Sequence, residues 1–112
     1  MHGTSTPLGD IAESNAISRL LGEHAYNIQI NSTKSMTGHL LGAAGVIEAI
    51  AALHAIIHGV VPPTINHFTD DEKIDSRLNF TFNHAVKKEV NVAMSNTFGF
   101  GGHNACVLFK KI

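Results

Sequence analysis

Charge is scarce in this chain of 112 residues. Asp, Glu, Lys and Arg make up 15% of it, where about a quarter is usual, and the formal net charge is −1 with histidine neutral. Electrostatic capture of nucleic acid, or of an anionic membrane surface, is thereby excluded as the means of binding. Cysteine is scarcer still. A single residue, Cys106, cannot build a disulfide framework, and the default compartment is a reducing one, the cytoplasm. No basic region followed by an apolar core opens the chain, so no secretory signal is read. No internal repeat or low-complexity tract runs through it. The length suits one domain or part of one. Apolar residues are plentiful at 44%, and beside so little charge they imply that some of the surface belongs against other protein.

The apolar content is concentrated in Ser32 to Ile57, STKSMTGHLLGAAGVIEAIAALHAII. A polar approach containing Lys34 and His39 runs into a small-residue stretch with hardly any residue suited to face water. Its length invites a transmembrane reading. Glu48 near its middle argues against one, because a carboxylate at mid-bilayer costs about 2.5–3.5 kcal/mol even on the lenient insertion scale. A central buried helix of a soluble protein is expected instead, starting at Thr37 or Gly38 and stopped by Gly59 and Pro62-Pro63. Gly38, Gly42 and Gly45 would weaken an exposed helix, so close packing against another backbone is expected there.

Around this stretch, the polar loop HGTSTPLGD at 2–10 leads to a helix over Ile11–Leu21. Asp10 is read as its N-cap, Glu13 as the partner in a capping box, and Gly22 as its stop. Tyr26–Asn31 alternates as a short strand with Tyr26, Ile28 and Ile30 inward. Leu78–Phe82 is a second short strand, Lys87–Glu89 an exposed turn, and Val90–Ser95 and Ala105–Phe109 a hairpin joined by NTFGFGGHN. The sum is a layered α/β arrangement.

The acidic run Asp70, Asp71, Glu72 and Asp75 reads as solvated surface. Eight histidines make any single one weak evidence; His24, His54, His58, His67 and His84 accompany no motif, and a zinc site needs three or four converging ligands. Cys106 lies between Ala105 and Val107 in an apolar strand with no cationic neighbour in sequence, so a buried small hydrophobe is expected rather than a nucleophile. The loop Gly99-Phe100-Gly101-Gly102 lacks the lysine and hydroxyl of a phosphate loop and precedes a strand rather than a helix.

Taken together, HGTSTPLGD at 2–10, NSTKSMTGHLLGAAG at 31–45 and NTFGFGGHN at 96–104 resemble the C-terminal part of the β-ketoacyl-[acyl-carrier-protein] synthases, specifically the elongating, two-histidine bacterial type II condensing enzymes. The resemblance covers essentially residues 1–112 and implies a partial C-terminal synthase domain of thiolase-like α/β fold. In that fold two similar halves, each with a five-stranded mixed sheet, pack together in a homodimer. The reaction implied is a decarboxylating Claisen condensation of malonyl-acyl carrier protein with an acyl thioester in fatty acid elongation. No cofactor is required, since the phosphopantetheine arm arrives on the acyl carrier protein, although some members hold a buried monovalent cation.

Carried onto this chain, the resemblance makes His2 and His39 the catalytic histidines and Lys34 the active-site lysine. Thr4 and Thr6 would bind phosphopantetheine. Phe100 would be the mobile gate, with its backbone N–H in the oxyanion hole, and Glu48, Ser95 and Asn96 would surround the cation. The nucleophilic cysteine of the family belongs to the other half and has no counterpart here. The chain is therefore expected to be a catalytic segment that is inactive alone and that needs the N-terminal half of a synthase as partner. The alternative is a non-catalytic or regulatory subunit paired with an intact condensing enzyme. Neither reading involves nucleic acid or a membrane.

Overall fold

A computed structural model describes all 112 residues. The chain forms helix α1 over Gly9–Leu21, a 3₁₀ segment over Gly22–Asn27, a single-turn helix α2 over Lys34–Thr37, a 3₁₀ turn over Leu41–Ala43 and helix α3 over Ala44–His58. Two short strands follow, β1 at Val60–Val61 and β2 at Val86–Lys87, then the long pair β3 at Val92–Gly99 and β4 at His103–Lys110. Both pairs are antiparallel two-stranded sheets, β1 on β2 and β3 on β4. The α/β character is as expected; the five-stranded sheet of the resemblance is not assembled from these residues.

Helix α1 begins at Gly9, and Leu8, at the N-cap, offers no side-chain cap. Asp10 therefore lies in the first turn rather than capping it. Glu13 is not a capping-box partner either: it is buried and turned to the preceding loop, as described below. Of the residues read as a strand over Tyr26–Asn31, Tyr26 and Asn27 instead end the 3₁₀ segment that follows Gly22, and Ile30 makes one parallel bridge, to Phe80. Leu78–Phe82 is likewise reduced to that bridge and a second, Thr64 to Phe82. Neither stretch has a long neighbour to pair with, and a ladder needs one. The inward set was nonetheless legible: Ile30 joins Ile17, Ala25 and Leu78 in the core, with Tyr26 and Ile28 packed against them.

The expected single helix from Thr37 or Gly38 is broken. Gly38 takes φ 73° and ψ 178°, a conformation open to glycine at little cost, and ends α2 after one turn. A loop and the 3₁₀ turn intervene before α3 starts at Ala44; its end at Gly59 is as expected. Nor is α3 central and buried. It packs against β3, β4 and β1 on one side, and only Ala44, Ala55 and Ile56 are buried. Val46, Ile50, Leu53 and Ile57 are 40–70% exposed, and no atom lies within 4 Å of where a side chain at Gly42 or Gly45 would begin. The close approach that those glycines permit is not made within these residues.

The hairpin is longer and tighter than read. Pairing runs from Val92 opposite Lys110 to Gly99 opposite His103, which leaves only Phe100–Gly102 as the turn. Val86 and Lys87, at the edge of the expected exposed turn, pair with β1, and the Lys88 N–H donates to the Gly59 carbonyl at 3.0 Å. Cys106, expected to be buried, is exposed on β4, because that strand has no layer packed over its outer face. In the acidic run, Asp75 accepts from the Arg77 guanidinium at 2.7 and 3.0 Å and from the Tyr26 hydroxyl at 3.0 Å. Those bonds to Arg77 hold its carboxyl far below the usual carboxylate range.

So much uncovered apolar area predicts that the 112-residue chain associates in solution. Sedimentation should show mass rising with concentration, and Ile50→Lys with Ile57→Lys should reduce it. A monodisperse monomer that unfolds cooperatively would show instead that the one-sided packing of α3 suffices.

Candidate active site

The site is built where the N-terminal loop crosses α1 and β3. The Glu13 carboxylate accepts the His2 N–H at 2.8 Å on one oxygen and the Gly3 N–H at 3.1 Å on the other. The first oxygen also accepts Asn96 Nδ2 from β3, at 3.1 Å. Ser32 Oγ closes the loop from the far side, donating to the Gly3 carbonyl at 2.9 Å. A side chain at Gly3 would begin 2.7 Å from Ser32 Cβ, and φ there is 43°, so only glycine lets the two segments meet this closely. His2 is thus anchored through its backbone, and its ring is left to the site.

That ring meets His39 edge-on, with centres 5.5 Å apart and planes at 85°, and Phe98 from β3 at the same separation. Burial holds the His2 imidazole below its ordinary value of 6.5; the Lys34 ammonium pushes the same way and Glu13 against it. His39 lies in the loop that the break at Gly38 creates, on the exposed side of the site. Its Nδ1 accepts the Leu41 N–H at 3.1 Å. A neutral His39 therefore carries its proton on Nε2, which is left as a donor.

Lys34 is buried in α2 and forms an ion pair with Glu48 of α3. The explanation for a carboxylate in an apolar helix is thus a partner inside the protein. Its second oxygen, Glu48 Oε2, is buried without a partner, as is Asn96 Oδ1. Glu48, Ser95 and Asn96 line one cleft of about 410 Å³. Two orphaned buried oxygen acceptors on the wall of one cleft suit a monovalent cation in donor type. No group of three or more His, Cys, Asp or Glu side chains converges as a metal cluster.

Thr4 and Thr6 have their hydroxyls 3.3 Å apart and line a larger open cleft of about 900 Å³ together with Lys34 and His39. Asp10 lines it too; burial raises its carboxyl pKa, against the N–H groups of Ser5 and Thr4. Phe100 does not line this cleft. It is fully exposed at the hairpin tip, and Phe98 is the aromatic that touches His2. Sequence reasoning missed Glu13 and Asp10 as site residues. For Glu13 the available signal was a carboxylate on a helix whose cap it did not need to serve.

The frame that carries these paired imidazoles and the buried lysine has the thiolase-like fold. Residues 1–68 match the β-ketoacyl synthase C-terminal domain. The chain is 54% identical over 110 residues to the 3-oxoacyl-[acyl-carrier-protein] synthase 2 of Synechocystis sp., covering 98% of this chain and 26% of that protein. It is 51% identical to the enzyme of the same name from Staphylococcus aureus, with the same coverage. Among solved structures, a β-ketoacyl synthase from Burkholderia phymatum superposes with a TM-score of 0.90 at 37% identity, covering 100% of this chain and 26% of that one. A type II polyketide ketosynthase, solved in complex with its acyl-carrier protein, gives 0.93 at 41% identity, covering 99% and 27%. The chain belongs to the β-ketoacyl synthase family, and it spans about a quarter of the length of these relatives.

The His2 ring is expected to titrate below 6.5 in a proton NMR titration, and Lys34→Met should move it upward by removing the neighbouring cation. Because folding lowers this pKa, His2 costs stability nothing above about pH 6.5 and opposes folding increasingly as pH falls through that value. Glu13→Ala should release the loop, seen as lost protection of the His2 and Gly3 amides. Unchanged protection would show that Ser32 and the Met1 ammonium, which donates to the Asn31 carbonyl, hold it without Glu13.

Proposed function

We propose that the chain is the C-terminal catalytic segment of a 3-oxoacyl-[acyl-carrier-protein] synthase that elongates fatty acids in the cytoplasm. It works with the N-terminal half of the enzyme, which carries the nucleophilic cysteine, in a homodimer served by acyl carrier protein. The observation that carries this reading is the pair of imidazoles 5.5 Å apart, one held toward its neutral form beside the Lys34–Glu48 pair.

In the proposed reaction the phosphopantetheine arm of malonyl carrier protein lies along Thr4 and Thr6. The Nε2–H groups of His2 and His39 donate to the malonyl thioester oxygen. The bond to the carboxylate breaks, carbon dioxide leaves, and the electron pair moves onto the oxygen as an enolate. A fixed donor counts most where negative charge develops, so neutral imidazoles serve well. The enolate carbon then attacks the acyl thioester on the cysteine of the other half and expels its thiolate. Lys34 keeps positive charge next to the His2 imidazole and so favours its neutral form, and Phe100 on its exposed turn serves as the gate. A monovalent cation between Glu48, Ser95 and Asn96 would occupy the unpartnered Glu48 and Asn96 oxygens and tie β3 to α3.

The only cysteine, Cys106, is exposed on β4, and no other thiol in the chain can take up the acyl group. That would also suit a non-catalytic subunit of an intact synthase. Against this second reading, a scaffold has no need of His2, Lys34 and His39 around one site.

The chain alone should form no product from acyl and malonyl carrier proteins. Combined with the complementary three-quarters of the Synechocystis relative it should restore condensation, and His39→Ala should lower that rate by roughly 100-fold or more. Restored activity indifferent to His39→Ala would sink the catalytic reading in favour of the subunit.

A further inference from the structure

Four residues other than glycine adopt a left-handed backbone: Ser5 at φ 58°, Leu41 at 51°, Asn66 at 64° and Asn83 at 59°. A side chain crowds its own backbone there, and strain of this kind collects at ligand clamps and active sites. Two of the four already have a task. The Leu41 N–H donates to His39 Nδ1. Asn83 clamps the His67 backbone, its Oδ1 accepting the N–H at 3.1 Å and its Nδ2 donating to the carbonyl at 2.9 Å.

Ser5 and Asn66 have no such task within the chain. Both are exposed, and both line the open cleft of about 900 Å³ that Thr4, Thr6 and His39 also line. We propose that Ser5 and Asn66 are further contacts for the phosphopantetheine arm, each hydrogen-bonding to one of its amide groups. The inference rests on the proposed reading of Thr4 and Thr6 as contacts for that arm.

The loop pins Ser5 from both sides. Gly3 is held by Glu13 and Ser32. Pro7 confines Thr6 to extended backbone, and Thr6 Oγ1 fills the space where a side chain at Gly9 would begin. Glycine would hold the turn at Ser5 with less strain, so what serine adds is its hydroxyl. The Thr4 and Thr6 hydroxyls stand 3.3 Å apart and share a bond with each other, whereas the Ser5 hydroxyl between them keeps its proton and its lone pairs for a ligand. Asparagine enters the left-handed region more readily than most residues, and the Asn66 carboxamide offers a donor and an acceptor side by side, the complement of a secondary amide. Asp10, Asp70, Asp71 and Asp75 line the same cleft. Their carboxylates disfavour a phosphate there, which leaves the uncharged amide part of the arm as the piece that fits.

The test is titration of the 112-residue chain with pantetheine, followed by amide NMR, with the melting temperature of each variant measured beside it. Pantetheine should shift the amides of residues 3–6 and 64–67. Ser5→Ala and Asn66→Gly should each weaken binding by about three- to tenfold, the worth of one neutral hydrogen bond, and Thr4→Val should weaken it as well. Ser5→Gly should weaken binding as much as Ser5→Ala while raising the melting temperature, because it removes the strain together with the hydroxyl. A higher melting temperature with binding unchanged would make Ser5 a turn residue only and overturn its part. Binding that needs Thr4 but is indifferent to Ser5→Ala and Asn66→Gly would sink this inference and leave the reading of Thr4 and Thr6 standing. No shift at residues 3–6, or binding indifferent to Thr4→Val, would remove both.

Discussion

The Glu13 carboxylate, almost wholly buried, accepts three N–H groups: two from the backbone of His2 and Gly3, and one from Asn96, 83 positions along the chain. A charge taken so far out of water is costly unless its oxygens are occupied. Bonds to a charged acceptor contribute about 1.5–3 kcal/mol each, and three of them offset much of that cost. Everything at the site follows from this tie. It fixes where the His2 ring stands, and it sets the N-terminal loop against the hairpin that carries Phe98.

A second buried charge pair completes the frame from the other side. Lys34 stands in a single helical turn and Glu48 in the second turn of α3, and their contact spans the break at Gly38. Without the break, His39 would sit on a continuous helix with its neighbouring amides engaged. With it, the Leu41 N–H is free to satisfy one ring nitrogen and leave the other to a substrate. The glycine that interrupts the helix and the ion pair that spans the interruption are two halves of one arrangement.

Much of this could be read from residue order alone. The long motifs around His2, Lys34 and His39 pointed to the family, and Gly59 with its prolines marked the end of α3. What could not be read has a common cause. Capping, strand pairing and helix burial were each judged from local pattern, whereas Glu13, Ile30 and α3 take their roles from distant segments. Glu13 has the spacing of a capping box but binds a loop ten and eleven residues back. Tyr26 to Ile30 alternates like a strand, but its neighbour around Phe80 is too short to extend a ladder. Val46, Ile50, Leu53 and Ile57 have the composition of a buried surface, and Cys106 the setting of a core residue. Composition records what a surface is suited to meet, and these 112 residues do not include what would meet it.

The two long strands of the hairpin pair only with each other, so β3 and β4 each keep one margin of unused N–H and carbonyl groups. Another extended chain can add to such a margin without any unfolding. The lifetime of the separate polypeptide is then governed by how soon a strand arrives at those margins rather than by its folding free energy. A cell that makes this segment apart from a companion strand has to keep it dilute, or supply the strand quickly.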